Sequence, residues 1–218
     1  MNWKKKVFDS FKLYGVTDVS EDFGDILKKV DRAYAGGADI IQLRSKMLGD
    51  NALYRLGLAV RKIAVRRRKL FFMNDRLDLA MAVEADGIHL GQDDLPVAAA
   101  RKILKLAGMR MWIGKSTHKL AQSQKAQREG ADYIGVGPVF KTPTKPGYRP
   151  AGLDFVRQAA QQIRIPFVAI GGIDLLNLSS VLEAGARRIA VVRALFEKEN
   201  PYEAAREIRK KIENAEKK

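Results

Sequence analysis

Short apolar runs and longer amphipathic stretches alternate along this chain. The runs at 13–16, 39–43, 70–73, 87–90, 111–114, 132–137, 166–170 and 188–192 are apolar on both alternating faces, as in strands buried on two sides. Between them, 25–35, 51–67, 77–83, 96–106, 119–129, 153–163, 175–184 and 202–215 carry apolar residues at helical spacing. In 51–67, for example, these are Leu53, Leu56, Ala59, Val60 and Ile63. Strict alternation predicts a parallel sheet with helices outside, and a count of eight strands and eight helices predicts a closed (β/α)8 TIM barrel. A doubly wound open sheet is the runner-up. No linker or change of composition divides the chain, so 1–218 reads as a single domain. Gly-Ala-Asp recurs before strands, at Gly37-Ala38-Asp39 and Gly130-Ala131-Asp132, with Gly185-Ala186-Arg187 in the same place. The glycine reads as a repeated helix C-cap.

Charge narrows the choice of partner. Forty Lys plus Arg against 25 Asp plus Glu give a net charge of +15 over 218 residues, which attracts anions. The basic residues are spread along helices, with runs at Lys4-Lys5-Lys6, Arg66-Arg67-Arg68-Lys69 and the C-terminal tail. No nucleic-acid module accompanies them, so the expectation is a small anionic substrate and no nucleic acid. There are no cysteines and no apolar run near 18 residues, and residues 1–11 are basic without the apolar centre of a signal peptide. A cytoplasmic protein with no membrane partner is expected.

In a barrel of this kind the chemistry sits on the loops after the strands. Gln42, Arg44 and Lys46 end the second strand, Asn74 and Asp75 the third, Gln92, Asp93 and Asp94 the fourth. Lys115, Ser116 and His118 follow the fifth, Thr142, Thr144 and Lys145 the sixth, and Gly171-Gly172 the seventh. The loop after the sixth strand is long, stiffened by Pro143 and Pro146, and its hydroxyls and ammonium groups suit a phosphate or pyrophosphate. Asp75 and Asp94 either share a hard cation such as Mg2+ or cap the helices that follow them. Asp93 competes with Asp94. Ser116 is a phosphate ligand or a helix N-cap, and Gly171-Gly172 offers backbone N–H groups to a phosphate or packs strand against helix. His89 and His118 read as structural, because no serine or cysteine nucleophile pairs with either.

The ordered set Gln42-Leu43-Arg44-Ser45-Lys46, Asn74-Asp75-Arg76, His89 to Pro96, Ser116-Thr117-His118, Asp132 to Phe140, Thr142-Pro143-Thr144-Lys145 and Ala169 to Ile173 resembles the thiamine phosphate synthase family. The match runs in order from about Leu13 to Phe196. The resemblance implies a transferase that joins an aminopyrimidine methyl diphosphate to a thiazole phosphate by a dissociative, Mg2+-assisted route, releasing pyrophosphate. It implies that Gln42, Arg44, Lys46, Asn74, Ser116 and Lys145 hold the pyrimidine diphosphate, with Arg44, Lys46, Lys145 and Ser116 as the catalytic groups. Asp75 and Asp94 would hold the metal. Thr142, Thr144, Gly171, Val192 and Arg193 would hold the thiazole phosphate. Two departures stand out: Arg193 replaces the family's usual serine, and Lys115 adds a charge where an uncharged residue is common. The Arg193 side chain is expected to pair with the phosphate or to turn outward, leaving the backbone to bind. A related thiazole tautomerase, an isomerase on the same fold, is the alternative, but it typically lacks the diphosphate-binding set that is complete here.

Overall fold

The computed structural model describes residues 3–19, 23–143, 147 and 149–217. Eight parallel strands close in chain order: β1 (Leu13–Val16), β2 (Ile40–Leu43), β3 (Leu70–Asn74), β4 (Gly87–Leu90), β5 (Trp112–Thr117), β6 (Tyr133–Val136), β7 (Phe167–Ile170) and β8 (Ile189–Val191). The expected TIM barrel is therefore present. Ten helices accompany the strands among the described residues: α1 (Trp3–Ser10), α2 (Phe23–Gly36), α3 (Asp50–Arg67), α4 (Leu77–Ala82), α5 (Val97–Leu106), α6 (Leu120–Arg128), α7 (Gly152–Gln162), α8 (Leu178–Glu183), α9 (Arg193–Phe196) and α10 (Pro201–Glu216). No helix among them is long and apolar enough to cross a membrane.

Two helices exceed the expected eight. The first, α1, forms because Trp3, Val7 and Phe8 fall on one face, with Phe11 following. That face closes the N-terminal mouth of the barrel, where the Phe8 ring stacks on Trp112 with centroids 4.5 Å apart. The second, α9, is a single turn directly after β8.

The side-chain alternation of each strand builds two apolar layers. Inward-facing Tyr14, Val16, Ile40, Leu70, Phe72, Tyr133, Val168 and Ala190 fill the barrel with Phe8 and Phe11. Outward-facing Leu13, Ile41, Leu43, Phe71, Met73, Ile88, Ile113, Ile134 and Ile189 pack under the helices. Burying each large side chain is worth about 1.5–3 kcal/mol, so both faces of every strand favour closure.

The Gly-Ala-Asp repeat has two roles. Gly37 and Gly130 take φ of 119° and 85°, the left-handed region that closes a helix. Their N–H groups donate to Tyr34 and Gln127, and the next N–H groups, of Ala38 and Ala131, donate to Ala33 and Ala126. The aspartates then act across strands. Asp39 accepts the Lys12 N–H at 2.8 Å and pairs with Lys69 and Arg209. Asp132 accepts the Ile113 N–H at 2.6 Å and pairs with Arg101. Asp86 does the same for Phe71 at 3.0 Å, paired with Lys4 and Arg61. All three lie at the N-terminal end of the barrel, opposite the loops that carry the candidate chemistry.

Candidate active site

The strand C-termini open into one cavity of about 700 Å³. Gln42, Arg44, Lys46, Asn74, Asp75, Asp94, Ser116, Thr142, Gly171, Val192 and Arg193 all line it. Asp93, Gln92 and both histidines line it as well. Thr144 and Lys145, expected on the same loop as Thr142, lie outside the described residues.

Each position follows from the strand that precedes it. Arg44 is buried, and its guanidinium is held by Asp18, while Thr17 brackets the same backbone: its hydroxyl donates to the Arg44 carbonyl and accepts the Arg44 N–H at 2.9 Å. Lys46, two residues on, is exposed at the rim, so the expectation that both cations reach the mouth is met. Asn74 is the last residue of β3, and Asp75 turns the chain with φ of 59°, a left-handed conformation rare outside glycine. Its N–H donates to the His89 carbonyl at 2.9 Å. Strain of this kind at a strand end marks functional positions.

Neither Asp75 nor Asp94 is the N-cap residue of the helix that follows it. The N-caps of α4 and α5 are Arg76 and Pro96, neither with a side-chain cap bond. The Asp94 carboxylate instead accepts the Gly91 N–H at 2.6 Å, which closes the turn after β4. Beneath that turn Lys115 donates to the Gly91 carbonyl at 2.5 Å. Burial pushes the Lys115 ammonium below its ordinary value, and the nearby Asp94 charge pulls it part of the way back. The extra charge of this chain thus holds the acidic loop from outside the cavity.

Three expectations need correction. β5 runs on to Thr117, so Lys115 and Ser116 lie within the strand rather than after it, and Ser116 is no N-cap: that position of α6 belongs to Lys119. Parallel pairing with β6, Ser116 against Gly135 and Thr117 against Val136, carries the strand further than its apolar run. Gly171-Gly172 does not open a helix, because α8 begins only at Leu178. Asp174 and Asn177 satisfy the intervening backbone with their own side chains, Asp174 accepting from Leu176 and Asn177 donating to the Gly172 carbonyl. The two glycines admit the loop after β6: a Cβ on Gly171 would stand 2.5 Å from Pro138, and Phe140 donates to the Gly171 carbonyl at 2.9 Å. The close contact is therefore with that loop, and not the packing of strand against helix that the sequence suggested.

The third correction concerns histidine. His89 Nε2 lies 2.9 Å from Ser116 Oγ, a serine–histidine pair that sequence reasoning did not find. Its Nδ1 lies 2.9 Å from the Tyr133 hydroxyl, which is 2.8 Å from the Tyr14 hydroxyl. Gln42 Nε2 in turn donates to Tyr14 at 2.8 Å. Five side chains on five different strands therefore form one chain across the barrel floor, and Tyr14 and Tyr133 are fully buried in it. Burial pushes both phenols above their ordinary range, so they stay neutral. The Nδ1 partner of His89 is thus a neutral phenol, where a hydrolytic triad has a carboxylate. His118 lines the same cavity, with Nδ1 at 2.5 Å from the Gly137 carbonyl. Arg193 is exposed at the rim, and its guanidinium has no acidic partner among the described residues.

The donor set also fits a hard cation. Among the described residues no group of three His, Cys, Asp or Glu gathers for a metal. Asp75, Asp93, Asp94, Asp174 and Glu197 line the cavity, and a pair such as Asp75 and Asp94 would leave most positions of an octahedral Mg2+ for ligand oxygens and water.

Comparison with known proteins agrees with this geometry. The family model for thiamine monophosphate synthase matches residues 13–195. A thiamine-phosphate synthase of Streptomyces avermitilis is 50% identical over 208 residues, 94% of each chain. One of Gloeobacter violaceus is 48% identical over 183 residues, 84% of this chain but 53% of that protein, so the chain spans about half the length of some curated relatives it matches. The solved thiamine phosphate pyrophosphorylase of Pyrococcus furiosus superposes with a TM-score of 0.84 at 36% identity, covering 94% of this chain and 96% of that one. A cavity of this make-up and matches of this extent assign the chain to the thiamine monophosphate synthase family.

Proposed function

We propose that this chain is a transferase that condenses 4-amino-2-methyl-5-hydroxymethylpyrimidine diphosphate with thiazole phosphate, giving thiamine phosphate and pyrophosphate. One observation carries the reading: every described member of the expected substrate set opens into a single cavity. The reaction proceeds by loss of pyrophosphate from the pyrimidine methylene carbon, assisted by the ring amino group, and attack of the thiazole nitrogen on the resulting cation. Such a step needs stabilisation of a departing anion more than a general base.

The residues suit that demand. Arg44, fixed by Asp18 and Thr17, meets the diphosphate as a preorganised charge, and Lys46 and Lys145 add two further charges. Ser116 donates a hydrogen bond to a diphosphate oxygen, while Gln42 and Asn74 hold the pyrimidine. Asp75 and Asp94 hold Mg2+, which when bound neutralises charge on the leaving group. Thr142, Thr144, Gly171 and the backbone of Val192 and Arg193 receive the thiazole phosphate. The reaction is placed in the cytoplasm, where a chain without cysteines loses nothing.

The test is a coupled assay with purified protein, both substrates and Mg2+, following thiamine phosphate and pyrophosphate together. The two products are expected in equal amounts. A preparation that isomerises thiazole phosphate but forms neither product would instead be a tautomerase.

A further inference from the structure

We propose that Gln42, Tyr14, Tyr133, His89 and Ser116 form a one-way hydrogen-bond relay that presents the Ser116 hydroxyl to the cavity as a donor and the Gln42 side-chain carbonyl as an acceptor. The sense of each bond follows from the number of protons each group carries. Gln42 Nε2 donates to the Tyr14 oxygen. A phenol carries one proton, and among the described residues the other partner of the Tyr14 hydroxyl is Tyr133, so Tyr14 donates to Tyr133. Tyr133 has then received one bond and has one proton left, which goes to His89 Nδ1. An imidazole that accepts at Nδ1 carries its proton at Nε2, so His89 donates to Ser116 Oγ. The Ser116 proton is the first in the series that no group among the described residues claims, and Ser116 lines the cavity.

Reversing any link would leave a buried hydroxyl with two donors and no acceptor, or two acceptors and one proton. Full burial of Tyr14 and Tyr133 makes such a fault costly, because no solvent repairs it. The reverse sense requires the whole series to turn over, including the amide of Gln42. The opposite end of the relay favours the same sense. On the reading given under Proposed function, on which this point rests, Ser116 meets a diphosphate, which offers only acceptors. At the other end, Gln42 keeps its carbonyl for the ligand and therefore favours a ring bearing an N–H donor, such as an amino group, over one bearing a carbonyl. Tyr14, Tyr133 and His89 are positioning residues in this scheme: they reach the ligand only through Gln42 and Ser116.

The relay is tested in ligand-free protein by nitrogen NMR of labelled histidine, which separates the tautomers directly. With two histidines in the chain, His118→Asn assigns the signals. Neutral His89 with its proton on Nε2 is expected; an Nδ1–H tautomer or an imidazolium overturns the proposal. This arm needs no substituted relay and no activity, so it can fail while the synthase assay succeeds, and the reverse. A second arm uses Gln42→Glu at alkaline pH, where the introduced carboxylate is ionised and can only accept. Tyr14 must then donate to it, the series inverts, and His89 switches to Nδ1–H although three hydrogen bonds separate it from the substitution. Adding Tyr133→Phe should abolish the switch. If the tyrosines only fill space, Gln42→Glu leaves the His89 tautomer unchanged, and the relay is refuted.

Discussion

Gly114→Ala is the sharpest probe of how tightly the barrel floor is built. A Cβ at this position would stand 2.1 Å from Cζ of Tyr133, 2.3 Å from Cε1 and 2.5 Å from the hydroxyl. Carbon atoms settle at about 3.5–4.0 Å, so the ring would have to retreat by roughly 1.4 Å or more. It has nowhere to go: Tyr133 is 0% exposed, and the rings of His89, Phe72 and Tyr14 lie with centroids 5.5, 5.7 and 5.9 Å away. Overpacking costs about 1–3 kcal/mol, and displacing the hydroxyl weakens two buried hydrogen bonds worth about 1 kcal/mol each. The sum is about 3–5 kcal/mol, which at ~2–4 °C per kcal/mol for a chain of this size lowers Tm by roughly 6–20 °C. Calorimetry measures this directly, with Gly49→Ala as the control. Nothing lies within 4 Å of a Cβ on Gly49, its φ is −69°, and its substitution is expected to cost about 1 kcal/mol or less as an N-cap. A Gly114→Ala protein melting within ~2 °C of the parent would refute the picture of a jammed floor.

Other outcomes follow from the site. Asp75→Ala and Asp94→Ala should each abolish most turnover, as should EDTA on the parent; Asp75→Gly should be equally inactive yet no less stable than Asp75→Ala, because glycine accepts φ of 59° without strain. Full activity in EDTA would remove the metal from the reading. Lys115→Met should raise the Mg2+ concentration needed for half-maximal rate by loosening the Gly91–Asp94 turn. It should also alter the pH dependence of stability. The folded protein holds the Lys115 proton less tightly than the unfolded chain, so stability rises with pH from the depressed value up to the ordinary 10.5, and the substitution removes that rise. Urea midpoints of the two proteins across that range decide it. Arg193→Ser should keep synthase activity, with KM for thiazole phosphate unchanged or raised; a large gain in rate would show the guanidinium to be an obstruction.

The barrel was legible because its strands are apolar on both faces, and the site because polar residues stand immediately past each apolar run. Arg44, Asn74 and Asp75 are of that kind. What escaped depended on strand register. Tyr14 and Tyr133 are separated by 119 positions and read as ordinary strand aromatics; only closure of the ring of strands brings their hydroxyls together. His89 was set aside for want of a partner, since nothing in the sequence says that β4 and β5 pair with His89 against Gly114, leaving Ser116 one pleat further along. Gly114 carried a signal in principle: a glycine inside an apolar strand marks a close approach, here by the Tyr133 ring. The stripe of Trp3, Val7 and Phe8 was hidden by Lys4-Lys5-Lys6, which drew attention to charge and away from period.

The aspartates under the barrel divide its circumference unequally. Asp39 fastens β1 to β2, Asp86 fastens β3 to β4, and Asp132 fastens β5 to β6, each with a carboxylate on a backbone N–H of the preceding strand, those of Leu13, Phe71 and Ile113. In the fourth pair the residue just before β8, where the others have aspartate, is Arg188, whose guanidinium donates to the Asp9 carbonyl and lies over the Phe11 ring. Of the eight pairings that close the ring, these three carry a carboxylate clasp, and β7 with β8 carries none among the described residues. Parting β7 from β8 strips no carboxylate of its partners, so amide exchange should run faster there than across the clasped pairs. That pairing is also the one whose upper ends carry Gly171 and Arg193. The seam beneath that part of the cavity wall thus lacks a fastening that three other seams possess.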